Sequence, residues 1–155
     1  MTLANSTTTV AAEKSVGEIV AILAKHGASA IMMNYGLNQE VVAVSWKVRM
    51  PDGEIPFTLP ADVEAVYKVL NRQHSRGRYP TMDRARDVAW RILKDWVRAQ
   101  MALVDTQMVS LPQVFLPYTR VGPQLSDTLY AYLNDTGRLK ALAAGRLEPE
   151  EGIQT

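Results

Sequence analysis

The chain has 155 residues, a formal net charge of +1, 47% hydrophobic residues and 21% charged residues. These values are ordinary for a soluble globular protein, and the length suits one domain with a self-sufficient core. The absence of cysteine excludes disulfides and thiolate metal ligands. No apolar run approaches the roughly 18 residues that a membrane-spanning helix needs. We therefore expect a cytoplasmic protein with no membrane partner.

Both ends of the chain have the composition of flexible segments. Residues 1–12 are rich in threonine and have neither the basic region nor the long apolar region of a signal peptide. Residues 146–155 contain three glutamates and few apolar residues. The sequence therefore predicts a disordered arm at 1–12, a single domain at 13–145 and a flexible tail at 146–155.

A helix is predicted to open the domain. Ser15 and Glu18 have the spacing of a capping box, in which each side chain binds a backbone amide at the start of a helix. Apolar residues then recur at helical spacing, and Gly27 has the position of a C-terminal cap. These signals predict a helix over residues 16–26.

A three-stranded β-meander is predicted next, at residues 28–35, 42–50 and 55–59. Pro51-Asp52-Gly53 is typical of the hairpin turn between the last two strands. Residues of the middle strand alternate between two faces, one with Val42, Val44, Trp46, Val48 and Met50, the other with Ala43, Ser45, Lys47 and Arg49. We interpret the first face as core and the second as a surface for solvent or a ligand.

Helices dominate the remainder of the chain. Apolar spacing predicts a helix at 61–72, and Thr81 has the position of a cap for a long helix that runs to about residue 108. Its predicted core stripe is Ala85, Val88, Ala89, Ile92, Trp96, Ala99 and Leu103.

The C-terminal part is predicted to contain short elements. Pro112 is expected to end the long helix, and residues 113–116 to add a short strand. Pro123 is expected to open another helix with an apolar ridge, and 139–144 to form a last helical turn; the ridge consists of Leu125, Leu129 and Leu133. The whole predicts an α+β fold, with a three- to four-stranded antiparallel sheet packed on one face by helices, followed by C-terminal helices.

Charge is concentrated in one stretch. Residues 68–98 contain nine basic and three acidic residues, a net charge of +6, whereas the rest of the chain has eight basic and thirteen acidic residues. The basic residues are Lys68, Arg72, Arg76, Arg78, Arg84, Arg86, Arg91, Lys94 and Arg98. Such a local basic segment on a near-neutral chain is typical of proteins that bind a polyanion or an acidic partner.

Two interpretations of this basic segment are open. Arg84, Arg91 and Arg98 are seven residues apart, so they line one edge of a helix at steps of about 10 Å and can follow phosphates. Alternatively, Asp87 and Asp95 pair with the arginines on an ordinary solvated face, at about 0.2–0.5 kcal/mol per pair. If about five phosphates are contacted, log K should fall with log salt at a slope near −3.5.

The candidate nucleic-acid-binding residues combine three parts of the chain. They are Lys47 and Arg49 on the middle strand, Arg72, Arg76, Arg78 and Tyr79 in the polar loop, and Arg84, Arg91, Lys94 and Arg98 on the long helix. Tyr79 is the candidate base-stacking residue. Trp90, between the core and the basic side, is interpreted as a subunit contact or a second stacking residue.

No catalytic motif accompanies these residues. The two histidines, His26 and His74, do not belong to an HxE or HExxH motif, and no cysteine cluster exists to bind zinc. Glycine-rich nucleotide-binding motifs are also absent. We therefore expect a binding protein rather than an enzyme, with no catalytic residues, no metal and no cofactor.

Five short motifs are spread along the chain between residues 15 and 139, and they are Ser15–Ile19, Lys25–Ala28, Ala89–Lys94, Val114–Pro117 and Thr136–Leu139. Together they resemble a family of small proteins, mostly without assigned activity, that are encoded by phages, prophages and mobile elements. The resemblance implies a mobile-element protein that acts in the cytoplasm of the host cell, and it implies no mechanism.

The predicted order of elements is also similar to the β-β-β-α core of phage single-strand annealing proteins. Those proteins form rings and hold DNA in a basic groove between a hairpin and a long helix. The resemblance implies that Lys47 and Arg49 face Arg84, Arg91 and Arg98. The predicted helix at 61–72 departs from this pattern because it interrupts the junction between strand and helix.

Two functions follow as expectations. The first is a phage-type accessory protein that binds nucleic acid non-specifically, with single-stranded DNA favoured, forms homo-oligomers and serves recombination or annealing. The second is a small inhibitor of a host protein, an anti-defence or host-takeover factor, that docks through the basic stripe. A structural phage component is a third interpretation, with Trp90 and the leucine ridge at 125–133 as subunit contacts.

Overall fold

The computed structural model describes residues 1–74 and 79–146, and these form an α+β fold as the sequence predicts. Within them lie six α-helices, a three-stranded antiparallel sheet and a two-stranded sheet. The elements are α1 (Ala12–Lys25), β1 (Ala28–Tyr35), β2 (Val41–Met50), β3 (Gly53–Pro60), α2 (Val63–Gln73), α3 (Met82–Asp105), α4 (Leu111–Phe115), a 3₁₀ turn (Leu116–Tyr118), β4 (Arg120–Val121), β5 (Asp127–Thr128), α5 (Leu129–Asp135) and α6 (Arg138–Ala143). None of the helices in the two described stretches is long and apolar enough to cross a membrane. The predicted flexible tail lies outside the described residues, apart from its first residue.

Helix α1 begins at Ala12 rather than at residue 16, and the predicted capping box is wrong. Ser15 is fully buried inside the helix, and its hydroxyl has no hydrogen-bond partner among the described residues. Glu18 does not reach back to the helix start, because its carboxylate lies 3.0 Å from a guanidinium nitrogen of Arg91. The Ser-x-x-Glu spacing thus comes from a small buried residue and an ion pair between helices.

The three-stranded sheet has the order β1-β2-β3, so the predicted meander is confirmed. Trp46 lies opposite Ile31 on β1 and Phe57 on β3, and all three face the core. Val42 does not follow the predicted alternation: a register shift next to Asn34 lets Val42 reach the opposite face, where it is exposed. Val42 is the extra residue of a β-bulge: it has no partner on β1, and the regular alternation of sides does not apply to it.

The core lies between the inner face of the sheet and helices α1 and α3. Ile19 and Leu23 of α1 pack with Trp46 and Phe57, and all of them are almost inaccessible to solvent. Trp90 joins this cluster with 0% exposure, and its indole N–H donates to the Val41 carbonyl at 3.2 Å. Trp90 is therefore a core residue, and the predictions of a stacking or subunit-contact role for it are wrong.

Helix α3 is buried on a wider arc than its predicted stripe. Its first half packs on α2, where Ala85 and Val88 are buried with Leu70. Its second half packs on α1 through Val97 and Met101, which were not in the predicted stripe, whereas Ala99 is exposed. One helix that contacts two partners on different sides cannot be described by a single amphipathic stripe.

Residues 1–12 were predicted to be a disordered arm, but in this structure they lie against α2 and α3. Gln73 of α2 accepts from the Leu3 amide at 3.0 Å and donates to the Met1 carbonyl at 2.8 Å. The Ala12 amide donates to the Asp87 carboxylate at 2.9 Å. Composition did not reveal this packing because the partners are polar side chains about 70 residues away in sequence.

The C-terminal part differs most from the prediction. Residues predicted as a strand at 113–116 form α4 and the 3₁₀ turn, because Ser110 and Gln113 make a reciprocal capping box and Pro112 occupies the first turn. The predicted helix from Pro123 begins only at Leu129, where the Thr128 hydroxyl accepts from a backbone amide.

Candidate nucleic-acid interface

The basic residues at the centre of α3 are directed at the protein rather than at solvent. Arg91 ion-pairs with Glu18 of α1 at 3.0 Å, and the Lys94 ammonium lies 3.6 Å from the same carboxylate and 2.8 Å from Asp95. Lys94 is only 5% exposed. We call Glu18, Arg91, Lys94 and Asp95 the interhelical ion cluster. Its two cations stabilise the α1–α3 contact and are not free to track phosphates.

Arg84 likewise makes hydrogen bonds within the protein. Its guanidinium donates to the backbone carbonyls of Ser6 and Thr8, which ties the N-terminal arm to α3. The predicted pairing of Asp87 with Arg91 does not occur among the described contacts, since Asp87 accepts from the Ala12 amide. Four basic residues of α3 were predicted to bind nucleic acid, and of these only Arg98 is exposed.

Asp95 links the ion cluster to the N-terminal arm. A hydrogen bond from Lys94 is the main reason that the pKa of the Asp95 carboxyl lies below its ordinary value, and a hydrogen bond from Asn5 at 2.9 Å is the second reason. A lowered folded-state pKa contributes stability above the unfolded-state pKa, and this contribution is lost as pH falls through the folded-state pKa.

Substitution of Asp95 by asparagine is expected to change the acid limb of the stability profile. The loss of stability relative to the parent protein should be largest near neutral pH and shrink between about pH 5 and pH 2, because the parent carboxyl is then protonated. Urea unfolding of both proteins across this range measures the difference. A difference that does not vary with pH would contradict a stabilising Asp95 carboxylate.

The junction between α2 and α3 carries the exposed aromatic and basic groups. His74 and Tyr79 bracket the loop, and their ring centroids are 4.8 Å apart. Tyr79 is 77% exposed, and Arg72 is exposed in the last turn of α2. Arg76 and Arg78, which were predicted to belong to the site, lie in the loop outside the described residues. We call Arg72, His74 and Tyr79 the junction cluster.

A depression of about 700 Å³ opens beside His74 and Tyr79, between the N-terminal arm, α2 and α3. Hydroxyl groups of the arm and of the α3 cap line it, from Thr2, Ser6, Thr7, Thr9 and Thr81. Two carboxylates also line it, but both have partners: Asp83 pairs with Arg86 at 2.8 Å, and Asp87 accepts from a backbone amide. The depression therefore offers hydroxyl donors beside an exposed aromatic ring.

Lys47 and Arg49 belong to a different surface, the outer face of the sheet. Lys47 lies opposite Ala30 on β1 and Pro56 on β3, and it is exposed. The Arg49 side chain is 82% exposed and lies 3.8 Å from Glu54. Both are on the face opposite to the one that packs against α1, so they do not form a groove with the α3 residues. The arrangement implied by the resemblance to annealing proteins is absent here.

The outer face of the sheet contains a shallow hollow of about 720 Å³ with an apolar rim. At its centre the Ser45 hydroxyl lies 2.8 Å from both the Asn34 side-chain oxygen and the Thr58 hydroxyl. Arg120 and Leu125, from the turn region around the two-stranded sheet, line one side. Strand alternation would have located Asn34 and Thr58, but the approach of Arg120 depends on tertiary packing and has no local signal.

Among the described residues, no three histidine, cysteine, aspartate or glutamate side chains are grouped so that they could hold a metal ion. Comparison of the chain with models of protein families, with curated proteins and with solved structures found no match. The resemblances to phage proteins therefore stay predictions, and the junction cluster and the outer sheet face are the two candidate binding surfaces.

Proposed function

We propose that the protein binds single-stranded nucleic acid non-specifically through the junction cluster. The observation that carries the proposal is the exposed Tyr79 ring, which pairs with His74 and lines a depression rich in hydroxyl groups, while Arg72 is exposed on the preceding turn of α2. An exposed aromatic ring beside cations is the usual platform for single strands, because a base stacks on the ring while the cations neutralise phosphates.

The loop sequence adds to this chemistry. Arg76 and Arg78 are two residues apart and follow Arg72 by only a few positions, so three guanidinium groups and one aromatic ring occur within eight residues. Stacking does not distinguish between bases, and phosphates are common to all sequences, so the expected binding is sequence-independent. The resemblance to phage-encoded proteins supports an accessory role in recombination in the host cytoplasm.

Arg84, Arg91 and Lys94 already bind groups within the protein, so they are expected to add little to the electrostatic part of the nucleic-acid affinity. If about three phosphates are contacted instead of five, log K should fall with log salt at a slope near −2 for a single strand. Loss of the Tyr79 ring should weaken binding by about fivefold to 150-fold, because stacking on one aromatic ring contributes roughly 1–3 kcal/mol.

Fluorescence anisotropy with a labelled single-stranded oligonucleotide, at several salt concentrations, tests the proposal. The informative variants are Tyr79→Ala, Arg72→Glu and the pair Arg76→Glu/Arg78→Glu, and Lys47→Glu is the matched control on the outer sheet face. We expect the first three to weaken binding and the control to retain it. Absence of salt-sensitive binding by the parent protein at low salt would overturn the proposal.

Docking on a host protein is a second candidate, favoured by the hollow on the outer sheet face. Its apolar rim and exposed Lys47 suit an acidic, partly apolar protein segment better than a nucleic-acid strand, because the described residues that line it include no exposed aromatic ring. In this case Lys47→Glu should abolish capture of one host protein, whereas the Tyr79→Ala variant should capture it normally.

A further inference from the structure

Strand β1 is an outer strand of the three-stranded sheet, with β2 on one side only. No backbone hydrogen bond from another described segment reaches its free edge. The edge therefore presents a row of unpaired amide and carbonyl groups, which is a template for pairing with another strand.

The sequence of β1 has none of the residues that normally protect such an edge. Ala28–Tyr35 contains no charged residue and no proline. Met32 and Tyr35 are 59% and 58% exposed, and Met33 is also exposed. Natural edge strands that remain solvent-exposed usually carry lysine, proline, a β-bulge or a strong twist. β1 has one bulge, at Ser29 near its start, so its regular edge is the uncharged stretch from Ala30 to Tyr35, and this stretch indicates that a partner covers it.

The opposite edge of the sheet is closed within the chain. Phe57 of β3 forms a β-bridge with Thr119, and the short strand β4 follows immediately. Growth of the sheet by strand addition is therefore open at β1 and obstructed at β3. Association at a single edge gives a closed pair, whereas association at two edges gives a filament.

We propose that β1 pairs with β1 of a second copy of this chain, so that two sheets join into one six-stranded antiparallel sheet. An antiparallel pairing of identical strands has twofold symmetry, and the absence of charge on β1 means that no like charges meet across it. The partner is a second copy because β1 has no charge with which to select a different strand, and because Met32 and Met33 provide apolar contacts on the two faces of the pair.

The consequence is a dimer with a defined arrangement of its surfaces. In a continuous antiparallel sheet the twofold axis is perpendicular to the sheet, so both outer faces lie on the same side. The two hollows and their Lys47 residues then form one extended surface. The dimer does not depend on nucleic-acid binding, and the junction cluster at α2 and α3 is distant in sequence and separate in structure from β1.

Sedimentation or light scattering of the purified full chain over a range of concentrations tests the dimer. We expect the parent protein to approach the mass of two chains as its concentration rises. At the concentration where the parent is half dimeric, Met32→Lys/Met33→Lys should have the mass of one chain. Circular dichroism shows whether that variant is folded. The matched control is Leu37→Lys, a fully exposed position in the turn after β1, which should dimerise as the parent does.

Single-cysteine variants give a second readout that does not depend on a charged substitution. The chain contains no cysteine, so Ala30→Cys, Met32→Cys and Asn34→Cys each introduce one thiol on the outer face of β1. The position closest to the twofold axis should form an intermolecular disulfide faster than the control Leu37→Cys. A monomeric parent protein, a larger assembly, or crosslinking that is equal at β1 and at Leu37 would each overturn the proposal.

Discussion

Replacement of Glu18 by glutamine is expected to lower the free energy of unfolding by about 2 kcal/mol, because it removes the shared partner of Arg91 and Lys94. Lys94 is almost fully buried, so without Glu18 its ammonium keeps only the neighbouring Asp95 carboxylate. A buried charge that loses a partner is costly, whereas exposed ion pairs contribute little. Urea unfolding at neutral pH measures the effect.

Glu13→Gln is the matched control because Glu13 lies on the exposed side of the same helix. Its effect should stay within about 0.5 kcal/mol. Lys94→Met should cost less than Glu18→Gln, since it removes the buried charge and leaves Glu18 paired with Arg91. If Glu18→Gln is no more costly than the control, the interhelical ion cluster does not hold α1 on α3.

Phe115→Ala is expected to destabilise the protein by about 4 kcal/mol, which is typical for truncation of a fully buried phenylalanine. The ring contacts Trp46, Phe57 and Trp96 edge-on, with centroid distances of 5.2, 6.1 and 5.6 Å. These contacts join α4 to the sheet and to α3. Thermal and urea denaturation should both show the loss.

Leu116→Ala provides the comparison for that substitution, because the neighbouring side chain is 51% exposed. We expect a change within about 0.5 kcal/mol. Equal effects at the two adjacent positions would show that the aromatic cluster does not anchor α4. A Phe115→Leu variant, which retains apolar volume but not the edge-on ring contacts, should fall between the two.

The front half of the fold was predictable because its signals are local. Alternation over β2 and the Pro51-Asp52-Gly53 turn specified a hairpin, and apolar spacing located α2 and α3 within a few residues. The Thr81 cap of α3 was also recognisable, since its hydroxyl accepts from the Arg84 amide only three residues away. Such interactions span one turn, so the residue types alone indicate them.

The C-terminal elements were poorly predicted for the converse reason. Phe115 becomes buried only because the aromatic residues of the sheet and of α3 meet it. The local helix signal, Gln113 three residues after Ser110 with Pro112 in the first turn, was missed because the helix that it opens is only five residues long. The start of α5 was misplaced because Pro123 suggested a helix start, whereas the chain first makes a turn and a two-residue strand.

The candidate site likewise has features that local sequence indicates and features that depend on distant contacts. Exposure of Tyr79 and Arg72 agrees with their position in a polar stretch, but the basic stripe on α3 was misjudged. Helical geometry places Arg84, Arg91 and Lys94 on α3 without revealing what lies against that side. The structure places the N-terminal arm and Glu18 of α1 there. Carbonyls of the arm accept from Arg84, and the Glu18 carboxylate pairs with Arg91 and Lys94, although these partners are more than sixty residues apart in sequence.

The sequence by itself determined the fold class, the meander and the concentration of charge, since composition, alternation and turn residues act over a few positions. Only the tertiary structure decided which cations remain exposed, which tryptophan is core and which strand is a free edge. These properties depend on contacts between segments far apart in the chain. A side chain's burial and ion-pair partners are set by what packs against it, and no local pattern encodes that neighbour.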